Sequence, residues 1–198
     1  MIVFMSREKF AVVESAPERV LVMAASTRTG SINQALARRI AEHIDRVAEP
    51  AGVVGLSKYP MPLYDSDLES RDGVPAAAVD LAARIAAAEV LVIVTPEYNG
   101  AFPPLLKNTI DWLTRVDTAV LAHLTVLVAS ASPGQGGGSK AVAMVRDWMT
   151  NIGVADAERT LSIGSAGFDG GDAIAPVHAR ALSDFADQAT LAAGGVTP

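Results

Sequence analysis

Short apolar runs alternate along this chain with longer stretches in which apolar and polar positions recur at helical spacing. A continuous apolar run between polar flanks is typical of a strand buried on both faces of a sheet. Such runs, the second of them the weakest, predict strands over residues 19–24, 53–56, 89–95, 124–130 and 160–163. Apolar residues spaced three or four positions apart predict helices over residues 32–47, 75–88, 103 or 104–113, 140–149 and 178–191.

The alternation of strands and helices determines the expected fold class. Strands that alternate with helices pair in parallel, and the connecting helices cover both faces of the sheet. Five strands favour a flavodoxin-like α/β fold, a three-layer sandwich whose parallel sheet has the order 2-1-3-4-5. We expect this domain over residues 19–195, after a short extension at residues 1–18. Ligands of such sheets bind beyond the carboxyl ends of the strands, so the loops after the first, third and fourth strands are candidates.

Composition and charge narrow the range of functions. Of the 198 residues, 50% are hydrophobic and 19% are charged, as in a globular protein. The net charge of −6 disfavours nucleic acid as a partner. We identify neither a transmembrane stretch nor a secretion signal, and therefore expect a cytoplasmic protein that does not bind a membrane. The chain has no cysteine, so a redox function would depend on a bound cofactor.

Residues of the types that bind metals do not form a site in the sequence. The histidines His43, His123 and His178 lie far apart and show no ligand spacing. Four acidic residues cluster near the second predicted strand, and we interpret them as a solvated loop: Asp65, Asp67, Glu69 and Asp72. No metal is therefore predicted.

The loop after the first predicted strand has the composition of an anion site. Residues 25–33 hold four hydroxyl groups, the Arg28 guanidinium, one glycine and one asparagine, directly before a helix. Unpaired N–H groups and the positive dipole end at a helix start attract anions, and Arg28 can add a charge-assisted bond to a phosphate. The alternative is a simple helix cap by Ser31 or Asn33. The loop matches neither the nucleoside-triphosphate nor the dinucleotide glycine motif.

The loop after the third predicted strand suits a flat heteroaromatic ring. Pro96 stiffens the turn, and Tyr98 offers a flat stacking surface. Asn99 tolerates unusual backbone angles, and Gly100 permits close approach of the main chain. The alternative interpretation is an ordinary turn with a surface tyrosine.

Taken together, the two loops resemble those of a known family. Ser26-x-Arg28-x-x-Ser31-x-Asn33, followed by Pro96-Glu97-Tyr98-Asn99-Gly100, is similar to the paired motifs of the NADPH-dependent FMN reductases. That family includes chromate- and quinone-reducing members. Residues 59–65 and 106–112 also resemble the family, and the similarity covers roughly residues 20–153.

The resemblance implies a flavodoxin-like fold that holds FMN non-covalently and uses NADPH or NADH as co-substrate. It also implies a homodimer or homotetramer. By the matching positions, the phosphate of FMN would be surrounded by Ser26, Arg28, Ser31, Ile32 and Asn33. The isoalloxazine ring would lie along Pro96, Glu97, Tyr98, Asn99 and Gly100, and beside Ser132 of the loop after the fourth strand. We interpret that glycine-rich third loop as flexible, with binding of a nicotinamide nucleotide phosphate as the alternative.

The expected function is that of an NAD(P)H-dependent oxidoreductase. Hydride would pass from NAD(P)H through bound FMN to a small acceptor: a quinone, chromate, an azo compound or free flavin. No side chain is predicted to act as a catalytic acid or base, because the flavin carries the chemistry. Two alternatives remain. One is a flavodoxin-type electron carrier without its own NAD(P)H turnover, and the other is a binding module of the same fold that holds no flavin.

Overall fold

In the computed structural model, which describes residues 18–47, 50–154, 156–165 and 176–194, the chain forms a parallel five-stranded sheet. The strands are β1 (Val20–Ala24), β2 (Ala51–Gly55), β3 (Val90–Val94), β4 (Thr125–Ala131) and β5 (Thr160–Ile163). Their order is β2-β1-β3-β4-β5, and every neighbouring pair is parallel. The flavodoxin-like prediction is thereby confirmed. Residues 1–17 of the predicted extension and the last residue of the predicted domain, residue 195, lie outside the described residues.

Helices cover both faces of the sheet. They are α1 (Ile32–Val47), α2 (Ser66–Asp72), α3 (Ala76–Ala87), α4 (Pro104–Val116), α5 (Ser139–Asn151) and α6 (Pro176–Ala192). Helices α1 and α6 share one apolar core with alternate strand residues such as Val22 and Val92. Helices α3, α4 and α5 share the other core with the intervening residues, such as Met23 and Ile93. None of these described helices is both long and apolar enough to cross a membrane.

The burial of the central strands β1 and β3 explains why the sequence predicted them more clearly than the edge strand β2. Every residue of β1 and of β3 is buried, because helices cover both sides of each strand. Strand β2 lies at the edge of the sheet and begins at Ala51, two residues before the prediction. It ends at Gly55, because Leu56 starts a single 3₁₀ turn. Val53 of β2 is exposed, so the edge strand lacks the continuous apolar pattern of the central strands.

The acidic segment after β2 is a helix, and the prediction of a loop there was wrong. The Asp65 carboxylate accepts the N–H groups of Asp67 and Leu68 and so caps the first turn of α2. Glu69 accepts a hydrogen bond from the Tyr64 hydroxyl, which raises the pKa of Tyr64 above its usual value. Asp72 accepts two hydrogen bonds from the Arg71 guanidinium, so three of the four acidic residues have partners within their own segment.

The chain between β2 and α2 is held against α4. Asn108 accepts a hydrogen bond from the Tyr64 N–H at 2.7 Å, and it donates to the Pro62 carbonyl at 2.9 Å. The fully buried Trp112 donates its indole N–H to the same carbonyl at 2.8 Å. The ring of Tyr64 packs edge-on against Trp112, with centroids 5.1 Å apart. These contacts bring together residues 59–65 and 106–112, the two further segments that carry the family resemblance.

Candidate functional site

Three loops meet at the carboxyl edge of the sheet: the first loop (residues 25–31), the second loop (residues 95–103) and the third loop (residues 132–138). Main-chain hydrogen bonds at the strand ends hold them in order. The Ala25 N–H donates to the Val94 carbonyl at 2.8 Å. The Thr95 N–H donates to the Ala129 carbonyl at 2.9 Å, which joins the ends of β3 and β4. The loops that the sequence predicted as the site therefore lie side by side.

The first loop ends in a capped helix start. The Ser31 hydroxyl accepts the Gln34 N–H at 3.4 Å, and the Ser31 carbonyl accepts the Ala35 N–H at 3.1 Å. Ser31 is thus the cap that the simpler alternative proposed. Among the described residues, no acceptor takes the N–H groups of Ile32 and Asn33, as is usual for the first turn of a helix. These two N–H groups are available to an anion.

The charge of the first loop is positive. Neither the loop nor the first turn of α1 contains an acidic residue. Arg28 is exposed, and within the described part of the chain it makes no ion pair. Residues 27–30 are all exposed, whereas Ser26 is buried and its carbonyl accepts the Gln34 side-chain amide at 2.8 Å. Hydroxyls, a guanidinium and free N–H groups without a carboxylate are the donors that suit a phosphate.

Asn33 has a different task from the other residues of the first motif. Its side-chain amide donates to the Ala131 carbonyl at 3.0 Å, and its side-chain oxygen accepts the Ala131 N–H at 2.9 Å. The side chain is buried and both of its polar atoms are used. Asn33 therefore joins the start of α1 to the end of β4, and only its main-chain N–H has no acceptor among the described residues. Gln34, which supports Ser26, gave no signal in the sequence.

The second loop contains a tight turn. The Tyr98 N–H donates to the Ala101 carbonyl at 2.8 Å, and the Ala101 N–H donates back to the Tyr98 carbonyl at 3.1 Å. Asn99 and Gly100 both have positive φ, 52° and 80°, which is the signature of a type I′ turn and explains the Asn-Gly pair. The Tyr98 side chain is 48% exposed, whereas Pro96 is buried. The turn thus presents its main chain and the tyrosine at the surface.

Glu97 points away from this surface toward the start of α5. Its carboxylate oxygen accepts the N–H groups of Lys140 at 3.1 Å and Ala141 at 3.3 Å. The N-terminus of α5 is therefore already occupied by a negative group of the protein. This arrangement disfavours the alternative in which that glycine-rich segment binds a nucleotide phosphate.

The third loop is closely packed at its C-terminal end, whereas its residues 133–136 are exposed. The flexibility expected from its glycines stays a prediction. Gly137 and Gly138 are buried and have positive φ. A Cβ atom at Gly137 would lie 2.6 Å from the carbonyl carbon of Ile163 in β5. Ser132 is partly buried, and its hydroxyl donates to the Gly134 carbonyl at 3.2 Å. The loop is thus held against the end of β5.

One buried polar atom at this edge has no partner among the described residues. It is the Ser130 hydroxyl, and it lies directly below Gly138, where a Cβ atom would approach it to 2.0 Å. Sequence reasoning selected Ser132 and missed Ser130, because the end of a buried strand gives no sign of which hydroxyl is satisfied. Because this hydroxyl is fully buried beneath Gly138, the donors of the first loop, and not Ser130, are the groups that fit a site completed by an anionic ligand.

Other polar features of the molecule lie away from this edge. A cavity of about 500 Å³ between α1 and α6 is lined by charged side chains that include Arg39, His43 and Arg180. His43 contacts Asp187 at 2.8 Å, and Arg39 contacts Glu42 at 3.0 Å. In the described parts of the chain, no group of three or more histidine or acidic side chains could hold a metal ion. The loops at the carboxyl edge remain the candidate site.

Comparison with known proteins identifies the family of the chain. Residues 19–167 match the family model described as NADPH-dependent FMN reductase. A quinone reductase of Escherichia coli is 38% identical over 122 residues, which are 62% of this chain and 64% of that protein. An NAD(P)H-dependent FMN reductase of Pseudomonas aeruginosa is 30% identical over 136 residues, 69% of this chain and 71% of that protein.

The fold is similar to that of solved flavoenzymes. The flavoenzyme FerB, an NAD(P)H:(acceptor) oxidoreductase from Paracoccus denitrificans, superposes with a TM-score of 0.69 at 24% identity. The superposition covers 88% of this chain and 96% of that one. At this level of identity the likeness concerns the fold alone, whereas the sequence match covers three quarters of the chain and includes the first two loops. The chain belongs to the NADPH-dependent FMN reductase family.

Proposed function

We propose that this protein is an FMN-dependent NAD(P)H oxidoreductase that reduces a small acceptor such as a quinone, chromate, an azo compound or free flavin. The observation that carries the proposal is the position of the first loop. Its donors and the uncapped N–H groups of α1 lie on the same sheet edge as the exposed turn of the second loop. A ligand with a phosphate at one end and a flat ring at the other fits this pair of features. The family membership supports the same ligand.

The first loop would hold the phosphate of FMN. Ser26, Arg28 and Ser31 would provide hydroxyls and the guanidinium, while Ile32 and Asn33 would provide main-chain N–H groups. The α1 dipole adds to the attraction, because no acidic side chain lies in the first turn. The Ser31 hydroxyl can still donate its proton to the phosphate while its oxygen accepts the Gln34 N–H.

The second loop would face the ring, with Ser132 of the third loop beside it. The turn from Tyr98 to Ala101 has no side chain at Gly100, so its main chain can approach a flat ligand closely. Pro96 and Glu97 set the entry of the chain into this turn, and Asn99 shapes it. When bound, FMN supplies the hydride chemistry. The protein's own part is to bind, orient and stabilise negative charge through main-chain N–H groups, so no catalytic acid or base is proposed.

Three finer parts of the proposal concern the donor, the assembly and the location. We propose NADPH or NADH as the donor. We also propose a cytoplasmic homodimer or homotetramer, in which residues 19–195 form the FMN-binding domain after the extension. Apolar residues on α5 and directly after it support self-association: Met144 is 44% exposed, and Ile152, which follows the helix, is 39% exposed. Next to them, Trp148 stacks on Phe102 with centroids 5.0 Å apart.

One experiment tests the proposed function against its alternatives. The purified protein is examined by visible spectroscopy and then titrated with NADPH and with NADH in the absence of oxygen. We expect a flavin spectrum that is bleached by one or both donors and restored by an added quinone. A flavin spectrum that neither donor changes would favour the electron carrier. Protein that stays colourless after addition of FMN would favour the flavin-free binding module.

A further inference from the structure

Glu97 connects two of the loops at the candidate site. It belongs to the second loop, and its carboxylate accepts two N–H groups of α5, from Lys140 at 3.1 Å and Ala141 at 3.3 Å. The first turn of α5 has no acidic residue of its own, and its N-cap residue is Gly138, which has no side chain to offer. Glu97 therefore supplies the capping side chain that Gly138 lacks, for a helix that begins more than forty residues later in the chain.

The main chain packs closely around this contact. Gly138 has a φ of 82°, and a Cβ atom added there would lie 2.0 Å from the Ser130 hydroxyl and 3.7 Å from the Glu97 Cβ. A Cβ atom on Gly100 would lie 3.9 Å from the Lys140 side chain. The second loop, the end of β4 and the start of α5 are thus in direct contact, and a side chain at Gly138 would collide with Ser130 while only touching Glu97.

The contact fixes the turn of the second loop at its start. On one side of Glu97, the Thr95 N–H is bonded to the Ala129 carbonyl of β4. On the other side, Tyr98 begins the turn that closes at Ala101. With Glu97 bonded to α5, the segment that leads into the turn has a partner at both ends. A loop that is ordered before its ligand arrives loses less entropy on binding.

We propose that Glu97 is a positioning residue, which presents the turn from Tyr98 to Ala101 to the ring of the bound flavin through its bonds to α5. The inference rests on the proposed function, because it concerns how the same site holds its ligand. The positive end of the α5 dipole offsets part of the charge of the carboxylate, which reduces its repulsion of an anionic ligand. Glu97 itself has no role in the chemistry.

The test compares Glu97 with another capping carboxylate. Asp65 also accepts two N–H groups at a helix start, that of α2, and it belongs to no predicted cofactor contact. The holoproteins of wild type, Glu97→Ala, Glu97→Gln and Asp65→Ala are diluted, and released FMN is measured by its fluorescence. The visible spectrum of the bound flavin is recorded for each, since its shape reports the contacts of the ring rather than of the phosphate.

We expect Glu97→Ala to weaken FMN retention about tenfold, the upper part of the range for loss of a helix cap, and to alter the flavin spectrum. Glu97→Gln should change retention less than about threefold, because its amide oxygen can still accept the N–H groups of α5. Asp65→Ala should leave both retention and spectrum as in the wild type. Equal retention and identical spectra for Glu97→Ala and Asp65→Ala would overturn the inference.

Two further results separate this inference from other failures. If wild-type protein binds no FMN, the proposed function fails before any variant is compared. If Glu97→Ala does not fold, Glu97→Asp replaces it. That variant keeps the charge but is one methylene too short to reach α5, so it should retain FMN less well than Glu97→Gln. The reverse order would show that charge rather than reach matters, and the positioning role would be wrong.

Discussion

Helices α1 and α5 begin at the same edge of the sheet, and their starts differ in whether a carboxylate accepts their first N–H groups. Each follows a buried parallel strand, and each is preceded by a glycine with positive φ, Gly30 before α1 and Gly138 before α5. Neither has an acidic residue in its first turn. At α5, the carboxylate of Glu97 accepts two N–H groups. At α1, no carboxylate of the described residues does so.

The difference shows which helix start is prepared for a ligand. The positive end of a helix is stabilised by a negative group, whether that group belongs to the protein or to a bound anion. Glu97 meets this need at α5. At α1 the protein instead adds a further positive charge, the exposed Arg28. The phosphate of a ligand is therefore expected at α1 and not at α5.

The largest effect should come from the difference in packing between the first loop, which contains Gly30, and the third loop, which contains Gly137. Gly30→Ala and Gly137→Ala both place a side chain at positive φ, at 68° and 60°. Gly30 has no atom within 4 Å of an added Cβ, whereas Gly137 would meet the main chain of β5 at 2.6 Å. We expect Gly30→Ala to lower the free energy of unfolding by about 1 kcal/mol and Gly137→Ala by about 3–5 kcal/mol. Urea denaturation of both variants measures this, and equal losses would contradict the difference in packing.

The link between the first and third loops should contribute the next largest effect. Asn33→Ala removes two hydrogen bonds and leaves the N–H and carbonyl of Ala131 without partners in a buried place. We expect a loss of about 2–4 kcal/mol in the free energy of unfolding. Gln34→Ala is the matched control, because it removes one partly buried bond, to Ser26, and should cost about 0.5–1.5 kcal/mol. Thermal denaturation measures both losses. A loss for Asn33→Ala no larger than that for Gln34→Ala would show that the Asn33 contacts contribute little to stability.

A variant of Arg28 tests directly whether the start of α1 binds the phosphate of the ligand. Arg28→Ala should weaken retention of FMN by about 1.5–3 kcal/mol, the scale of a hydrogen bond to a charged group. The stability of the flavin-free protein should not change, since Arg28 is exposed and has no ion pair among the described residues. Arg71→Ala, which alters an exposed arginine on α2, serves as the control. Fluorescence of released FMN measures retention, and unchanged retention in Arg28→Ala would place the phosphate elsewhere.

The smallest expected effect concerns the cap of α1. Ser31→Ala removes the acceptor of the Gln34 N–H, whose 3.4 Å bond is long. We expect a loss of about 0.5–1 kcal/mol in the stability of the flavin-free protein. The loss should be larger in the holoprotein, because the same hydroxyl is proposed to contact the phosphate. Urea denaturation with and without excess FMN distinguishes the two contributions, and equal losses would limit Ser31 to a cap.

The fold could be predicted because its signals are local. Strands β1 and β3 are buried on both faces, so they appear in the sequence as uninterrupted apolar runs. The predicted start of β2 was two residues too late, because an edge strand with exposed Val53 does not show that pattern. Helix α2 was missed because its seven residues are mostly polar and none of them is buried, so no amphipathic spacing marks it.

The site could be predicted only in part. The positions of the first two loops followed from the rule that parallel strands end at one edge, and from the motifs at their ends. The roles of individual side chains did not follow. Asn33 bonds to Ala131, and Glu97 bonds to Lys140 and Ala141, across wide separations in the chain. Those partners have no local spacing that a motif could express.

The order of apolar and polar residues by itself determined that this protein has a parallel sheet between helices, with polar loops after its first and third strands. It did so because a strand that is buried on both faces is apolar along its whole length, and this pattern can be recognised in each strand separately. Only the tertiary structure decided which helix start stays open to an anion and which one Glu97 occupies. That choice depends on which side chain of one loop reaches the first turn of a distant helix, and such contacts exist only after the sheet brings the loops together.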